Sequence, residues 1–114
     1  MMARVAGWLP PGTDAAEETA KAEAFGLEQN WPNPFRPPTL IRFRVPTASA
    51  VTLEIFTVTG QRVVTLLDGR REAGSHAVSW DGKDAGGQRV GAGNYFFRLR
   101  AGAFTATHKM TMLE

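Results

Sequence analysis

From residue 39 onward, several segments of the chain place apolar side chains at every second position. In the first such segment Ile41, Phe43 and Val45 alternate with Arg42 and Arg44. An alternation with period two predicts a β-strand with one apolar face, because successive side chains point to opposite sides of the backbone. The alternation returns in four more segments, at 51–56, 75–80, 95–100 and 104–112.

Short glycine-containing turns separate these segments. Gly60, Gly69 and Gly102 follow residues that end a strand pattern, and glycine supplies the positive φ that tight turns require. The segment 62–67 is apolar on both faces, which predicts a strand that is central in its sheet or covered on both faces. Strands with one apolar face bury it most simply as two packed sheets. The pattern predicts an all-β antiparallel sandwich of six or seven strands, with a short barrel as the alternative and a core of Phe43, Trp80, Tyr95 and Phe97.

A proline-rich segment precedes the first strand. Its sequence is WPNPFRPP, from Trp31 to Pro38, and its prolines exclude a helix or a central strand because they lack a backbone donor. Trp31 and Phe35 are large apolar groups that order an irregular segment only when they are buried. We expect an extended arm that enters the β-domain, with Trp31, Pro32, Pro34 and Phe35 as a structural clasp. The alternative is that Trp31 and Phe35 form a ligand surface.

Residues 1–24 differ from the rest in composition. The first 28 residues carry five acids and two bases, whereas the remaining residues carry six and eleven. Asp14 and Glu17 have the spacing of a capping box, but the following apolar positions are alanine and bury little area. We expect an N-terminal tail or linker over 1–24, with a short helix over 14–24 or none, followed by one β-domain over 25–114.

The chain offers little for catalysis or for metal binding. It has no cysteine and only two histidines, His76 and His108, both on inward-facing positions. The loop after Trp80 contains Asp81 and Asp84, but calcium needs six to eight oxygens and aspartates in turns commonly accept bonds from nearby amides. We predict no enzyme activity, no cofactor and no metal site. Neither a membrane-spanning run nor a signal peptide is visible.

Outward-facing residues indicate where a partner would bind. The arginines at 42, 44, 98 and 100 form a basic stripe if their two strands share a sheet, and Phe56 and Phe96 also point outward. Exposed aromatic residues mark contact surfaces. Nucleic acid is not favoured, because base stacking needs a longer aromatic row. We predict a protein contact surface that comprises Arg42, Arg44, Phe56, Phe96, Arg98 and Arg100.

Several motifs resemble a known family. The segment 27–35, LEQNWPNPF, and then Thr39 to Phe43 resemble the opening of C-terminal domains that carry type IX secretion sorting signals, which are similar to the Ig-like domain of the flagellar hook-capping protein. Residues 58–63 (VTGQRV), 74–84 (GSHAVSWDGKD) and 91–99 (GAGNYFFRL) match later motifs in order, and Lys109 matches the family's terminal lysine. Trp31 replaces the usual tyrosine and Arg36 the usual asparagine.

The resemblance implies an Ig-like antiparallel β-sandwich of about seven strands and a non-enzymatic role. Such a module is read by outer-membrane export machinery, so the implied location is extracellular or at the cell surface. Carried over residue by residue, the sorting signal lies on Gly93, Tyr95 and Lys109. A self-assembling filament or surface subunit, in which the N-terminal tail contacts the next copy of the chain, is the alternative. A carbohydrate-binding module ranks third, because Trp8, Trp31 and Trp80 show no coplanar arrangement in the sequence.

Overall fold

Strands make up the regular structure of residues 24–114. The computed structural model describes residues 24–114. Its seven strands are β1 (Gly26–Leu27), β2 (Thr39–Val45), β3 (Ser49–Thr57), β4 (Arg62–Arg71), β5 (Gly74–Trp80), β6 (Gly93–Ala101) and β7 (Phe104–Met112). The predicted tail over 1–24 and its helix over 14–24 lie outside the described residues, apart from residue 24. Over residues 24–114 no helix is long and apolar enough to cross a membrane.

The strands form two antiparallel sheets. One sheet has the order β1-β2-β5 and the other the order β4-β3-β6-β7. Strands β2 and β5 pair from Thr39 opposite Trp80 to Val45 opposite Gly74. The predicted two-sheet sandwich is confirmed, and the barrel is excluded because the sheets share no continuous ladder around the core.

The core lies between the sheets, as the alternation predicts. Inward residues of β2 and β3, such as Phe43 and Leu53, are fully buried. Trp80 and Phe97 join them, and Trp80 packs edge-on against Tyr95 with 5.6 Å between ring centroids. Full burial of a large apolar side chain stabilises a fold by about 1.5–3 kcal/mol. Outward residues are exposed or half-buried, apart from Glu54, so the core lies on one face of each sheet.

Strand β4 differs from its prediction. It lies at the edge of the four-stranded sheet, and it runs through Asp68 and Gly69 without a turn, with Gly69 opposite Val51. The register of β3 and β4 shifts twice, between Leu53 and Glu54 and between Ile55 and Phe56. Each bulge inserts an extra residue on one strand and breaks the alternation. The segment 62–67 is therefore apolar at consecutive positions although it is not a central strand.

The arm, defined here as residues 28–38, closes one side of the sandwich. At its start the Glu28 N–H donates to the carbonyl of Arg42 at 3.0 Å, which extends the pairing of β1 with β2. At its middle Trp31 exchanges two backbone hydrogen bonds of 2.9 Å with Leu40. The arm then crosses to the other sheet, where Phe35 forms a parallel bridge with Met112. One segment thus bonds to β2, the central strand of the three-stranded sheet, and to β7, an edge strand of the other sheet.

Candidate functional site

The three residues of the implied sorting signal lie at one end of the β6–β7 hairpin. Gly93 pairs with Met112, Tyr95 pairs with Met110, and Lys109 lies opposite Phe96. Tyr95 and Lys109 are far apart in the sequence, but each lies one position from the other's partner on the paired strands. Such diagonal positions are close neighbours in a sheet. The side chain of Lys109 is exposed on the outer face, whereas Tyr95 points into the core.

Tyr95 and Gly93 shape this end of the hairpin. The Tyr95 hydroxyl donates a 2.6 Å hydrogen bond to the carbonyl of Gly91, which ties the loop before β6 to the strand. Burial raises the pKa of Tyr95 above its ordinary value, because the phenolate would lose its hydration. Gly93 has φ of 141°, in the region that favours glycine, although a Cβ there would meet open space. The demand for glycine at 93 comes from its backbone conformation.

Polar residues of the arm hold the outer edge of β7. The Gln29 amide donates to the carbonyl of Lys109 at 2.7 Å, and the Asn33 side-chain oxygen accepts the Thr111 N–H at 3.0 Å. The backbone of Phe35 then accepts from Leu113 at 2.7 Å and donates to Thr111 at 2.9 Å. An edge strand otherwise presents unpaired donors and acceptors. The arm thus fixes the backbone of the terminal strand on both sides of Met110.

Only one of the two arm aromatics is buried. Phe35 is 1% exposed and packs against Trp80 with 5.9 Å between ring centroids. Trp31 is 71% exposed, which contradicts the prediction that both aromatics are buried. Its backbone pairs with Leu40, and in an antiparallel pair this leaves the side chain on the solvent face. Trp31 therefore contributes to the clasp through its backbone.

A buried polar cluster of Asn30 and Thr39 holds the arm at the carbonyl of Pro32. The Asn30 amide, which is 2% exposed, donates to the carbonyl of Pro32 at 3.1 Å and to the Thr39 hydroxyl at 3.0 Å. The Thr39 hydroxyl donates to the same carbonyl at 2.9 Å. Pro32 thus takes part in the clasp through its carbonyl, while Pro34 is exposed next to Phe35. Buried polar groups that satisfy one another define a single conformation.

The predicted basic stripe does not form. Arg42 and Arg44 lie on β2 in the three-stranded sheet, whereas Arg98 and Arg100 lie on β6 in the four-stranded sheet. The two pairs face solvent on opposite sides of the sandwich because the inner faces of both sheets are used by the core. Arg44 instead forms an ion pair with Glu28 at 3.3 Å.

The outer face of the four-stranded sheet does bring the remaining contact residues together. Lys109 lies opposite Phe96, Phe96 opposite Phe56, and Phe56 opposite Arg62. These four residues form one row across all four strands, which we call the aromatic row. Both phenyl rings are half-buried, and the guanidinium of Arg98 lies 4.6 Å from the centre of the Phe56 ring. Lys109 therefore belongs both to the implied signal and to the predicted contact face.

Glu54 links the charges beside the aromatic row. Its carboxylate is 3.1 Å from Arg98 and 3.3 Å from Arg62, and the residue is 8% exposed. Burial alone raises the pKa of Glu54, but the hydrogen bonds and positive charges of Arg98 and Arg62 outweigh it and lower the pKa below its ordinary value. The carboxylate is therefore held ionised between two cations.

The loop between β5 and β6 uses its carboxylates for its own conformation. One oxygen of Asp84 accepts the N–H groups of Gly86 at 2.9 Å and Gln88 at 3.0 Å, and Asp81 accepts that of Lys83 at 3.1 Å. In the part of the chain that the structure describes, no three His, Asp or Glu residues cluster as metal ligands would. These bonds match the turn role expected for both aspartates.

The histidines lie at the margins of the core, as expected. His76 stacks on Phe43 at 5.3 Å, and His108 packs against Phe97 at 5.6 Å. The Nε2 of His108 donates to the carbonyl of Leu27 at 2.8 Å. Each ring thus fills apolar space with one face and bonds a main-chain group at its edge.

Sequence reasoning missed the polar residues that organise this site. Gln29, Asn33 and Glu54 received no role, because a single polar side chain in a sequence does not reveal its partner. The signal for two of them was present: Gln29 and Asn33 both stand at specified positions of the motif that resembles sorting domains. Glu54 offered a weaker signal as the one charged residue of β3.

Comparisons with solved structures find the same fold in three bacterial proteins. The structure of FlgD from P. aeruginosa matches with 25% identity and a TM-score of 0.53, over 65% of this chain and 58% of FlgD. Dimeric latent PorU from Porphyromonas gingivalis matches with 21% identity and a TM-score of 0.62, over 81% of this chain and 10% of PorU. PorZ from the same species, a bacterial surface component of the type IX secretion system, matches with 19% identity and a TM-score of 0.52, over 90% of this chain and 13% of PorZ.

Sequence comparison gives the family. No curated protein matches this chain. The chain spans little more than half of FlgD and a small part of PorU and PorZ, so their whole-protein activities do not transfer with the fold. The family model for the FlgD Ig-like domain, however, matches residues 39–103, from β2 through the β6–β7 turn. That match covers more than half of the sequence, and the two-sheet arrangement agrees with it. The chain therefore belongs to the FlgD Ig-like domain family.

Proposed function

We propose that residues 25–114 are a non-enzymatic module that directs a protein to the cell surface by type IX secretion, with residues 1–24 as its linker. The observation that carries the proposal is the position of Gly93, Tyr95 and Lys109. Lys109 is distant in sequence from Gly93 and Tyr95, but all three lie at one end of the β6–β7 hairpin.

A folded signal requires a group that the export machinery can touch and a backbone that holds it in place. Lys109 is the exposed group. Its carbonyl is bonded by Gln29, and Thr111, two residues further along the strand, is bonded to the arm through Asn33 and Phe35. In this proposal Lys109 contacts the machinery, whereas Gly93 and Tyr95 are positioning residues that set the shape of the hairpin end.

The partner in this proposal is outer-membrane export machinery, and the destination is the cell surface or the medium. The fold shared with PorZ, whose printed description places it in the type IX secretion system, is consistent with a role near that system. The motif order from Leu27 to Lys109 supports a sorting role more specifically than the fold does, because the fold alone serves many functions.

The test fuses a fluorescent reporter to the N-terminus of the full chain in a bacterium that has a type IX system. We expect the reporter outside the cells, and we expect Lys109→Ala to retain it inside. Lys83→Ala removes another exposed lysine, from the loop after β5, and serves as the matched control, with export unchanged. Failure of the unmodified fusion to leave the cell, while a fusion to a known sorting domain does, would refute the proposal. Equal export of the Lys109→Ala fusion would refute the role of that residue.

A further inference from the structure

We propose that the outer face of the four-stranded sheet binds an extended acidic segment of a protein partner, laid across the strands along the aromatic row. The row has a cation at each end and two phenyl rings between them: Arg62, Phe56, Phe96 and Lys109. This inference goes beyond sorting, since it assigns a ligand chemistry to a surface that needs no export machinery to bind it.

The apolar part of the row offers contact area. Phe56 and Phe96 are direct cross-strand neighbours on the solvent side of a sheet, and both remain half-buried rather than fully covered. Adjacent aromatic residues on an outer sheet face are typical of the centre of a protein interface, with charged residues at its rim. The Arg98 guanidinium over Phe56 holds that ring against the sheet and keeps it in place for a ligand.

The charge of the face selects an acidic occupant. Its cations are Arg62, Arg70, Arg98, Arg100 and Lys109, against the two acids Glu54 and Asp68. Glu54 forms ion pairs with both Arg62 and Arg98, and these three residues together carry a net charge of about +1. Within residues 24–114, Lys109 and Arg100 have no carboxylate within 4.0 Å. Opposite charge on a partner is favoured at such a surface, and it accelerates association.

The spacing of the row defines the ligand more closely. Three intervals between four strands, each about 4.8 Å, separate the backbones at Arg62 and Lys109 by about 14 Å. In an extended peptide two residues four positions apart are separated by about 13–14 Å and point to the same side. Carboxylates at those two positions would reach the two cations, and an apolar residue midway would lie over the phenyl rings.

The test titrates the full-length, isotopically labelled protein with a short peptide at low salt while NMR amide shifts are recorded. The probe is acetyl-Thr-Glu-Thr-Leu-Thr-Glu-Thr-amide, which carries the predicted spacing. We expect the largest shifts at Phe56, Phe96 and their cross-strand neighbours, and we expect binding to weaken as salt is added. Lys109→Gln and Arg62→Gln should each weaken the affinity by about 1.4- to 5-fold, the range measured for exposed ion pairs.

Two controls make the result decisive. Arg42→Gln removes an exposed cation from the opposite sheet and should leave the affinity unchanged. Because Arg62→Gln also removes one partner of Glu54, its amide spectrum must match that of the unmodified protein before its affinity is interpreted. Equal binding of a peptide with glutamine in place of both glutamates, or of one with its glutamates adjacent, would overturn the proposal. So would the absence of shifts on this face at millimolar peptide. These outcomes are independent of the export test.

Discussion

Replacing the two arm aromatics one at a time tests whether burial determines their contribution to stability. Phe35 and Trp31 lie four residues apart in the same segment, yet one is 1% exposed and the other is 71% exposed. We expect Phe35→Ala to destabilise the protein far more than Trp31→Ala, although tryptophan is the larger residue. Each of the two variants changes one side chain of the arm and leaves its prolines and its backbone hydrogen-bonding groups in place.

The magnitude follows from the buried area. A fully buried aromatic side chain removes about 150–250 Å² from water, which at about 25 cal/mol per Å² corresponds to about 4–6 kcal/mol. Phe→Ala changes in cores lower the free energy of unfolding by about 3–5 kcal/mol, so we expect that range for Phe35. Trp31 buries less than a third of its surface, and we expect a loss of about 1–2 kcal/mol there.

Urea unfolding followed by far-ultraviolet circular dichroism measures both losses without relying on tryptophan fluorescence. With a slope of about 1.5 kcal/mol per M, Phe35→Ala should lower the midpoint by about 2–3 M and Trp31→Ala by about 1 M. Should Phe35→Ala fail to fold, Phe35→Leu keeps most of the apolar volume and should still lose about 1–2 kcal/mol. Equal losses for the alanine pair, or a greater loss for Trp31, would refute the argument from burial.

Three further predictions concern titration and assembly. Because the pKa of Glu54 is lowered in the folded state, its carboxylate stabilises the protein above about pH 4.5, and this stabilisation is lost as the pH falls through the folded-state pKa. Glu54→Gln should therefore reduce the loss of folding stability at acidic pH. An unchanged dependence of stability on acidic pH would contradict this. Tyr95 is the only tyrosine, so absorbance at about 295 nm reports its ionisation. We expect the midpoint of this titration above pH 10 in the folded protein and near pH 10 in urea. Equal titration midpoints in the two states would argue against burial of the hydroxyl. If the chain instead builds filaments through its tail, light scattering should detect polymers of the full chain that disappear when residues 1–24 are deleted, whereas a monomer in both cases argues against self-assembly.

The sequence by itself determined the class of fold and the composition of most of the core. Alternation with period two assigned the inward faces of β2, β3 and β6, because that periodicity is a property of the strand backbone and needs no tertiary partner. The turns at Gly60 and Gly102 were visible for the same local reason, since both residues adopt a positive φ. The order of the motifs singled out Gly93, Tyr95 and Lys109 as signal residues, which stays a prediction, and the pairing of β6 with β7 brings them together.

Only the tertiary structure decided which strands are neighbours and what the polar residues bond. Arg42 and Arg98 have the same local pattern, yet they lie in different sheets, because sheet membership depends on pairing between distant segments. Two bulges in the β3–β4 pair made an edge strand look central, and a bulge is defined by the partner strand. Trp31 lies on the solvent face because its backbone pairs with Leu40, and Gln29 and Asn33 bond a strand about 80 residues away. Local periodicity reports which way a side chain points, whereas partners at that separation are set by the packing of the whole chain.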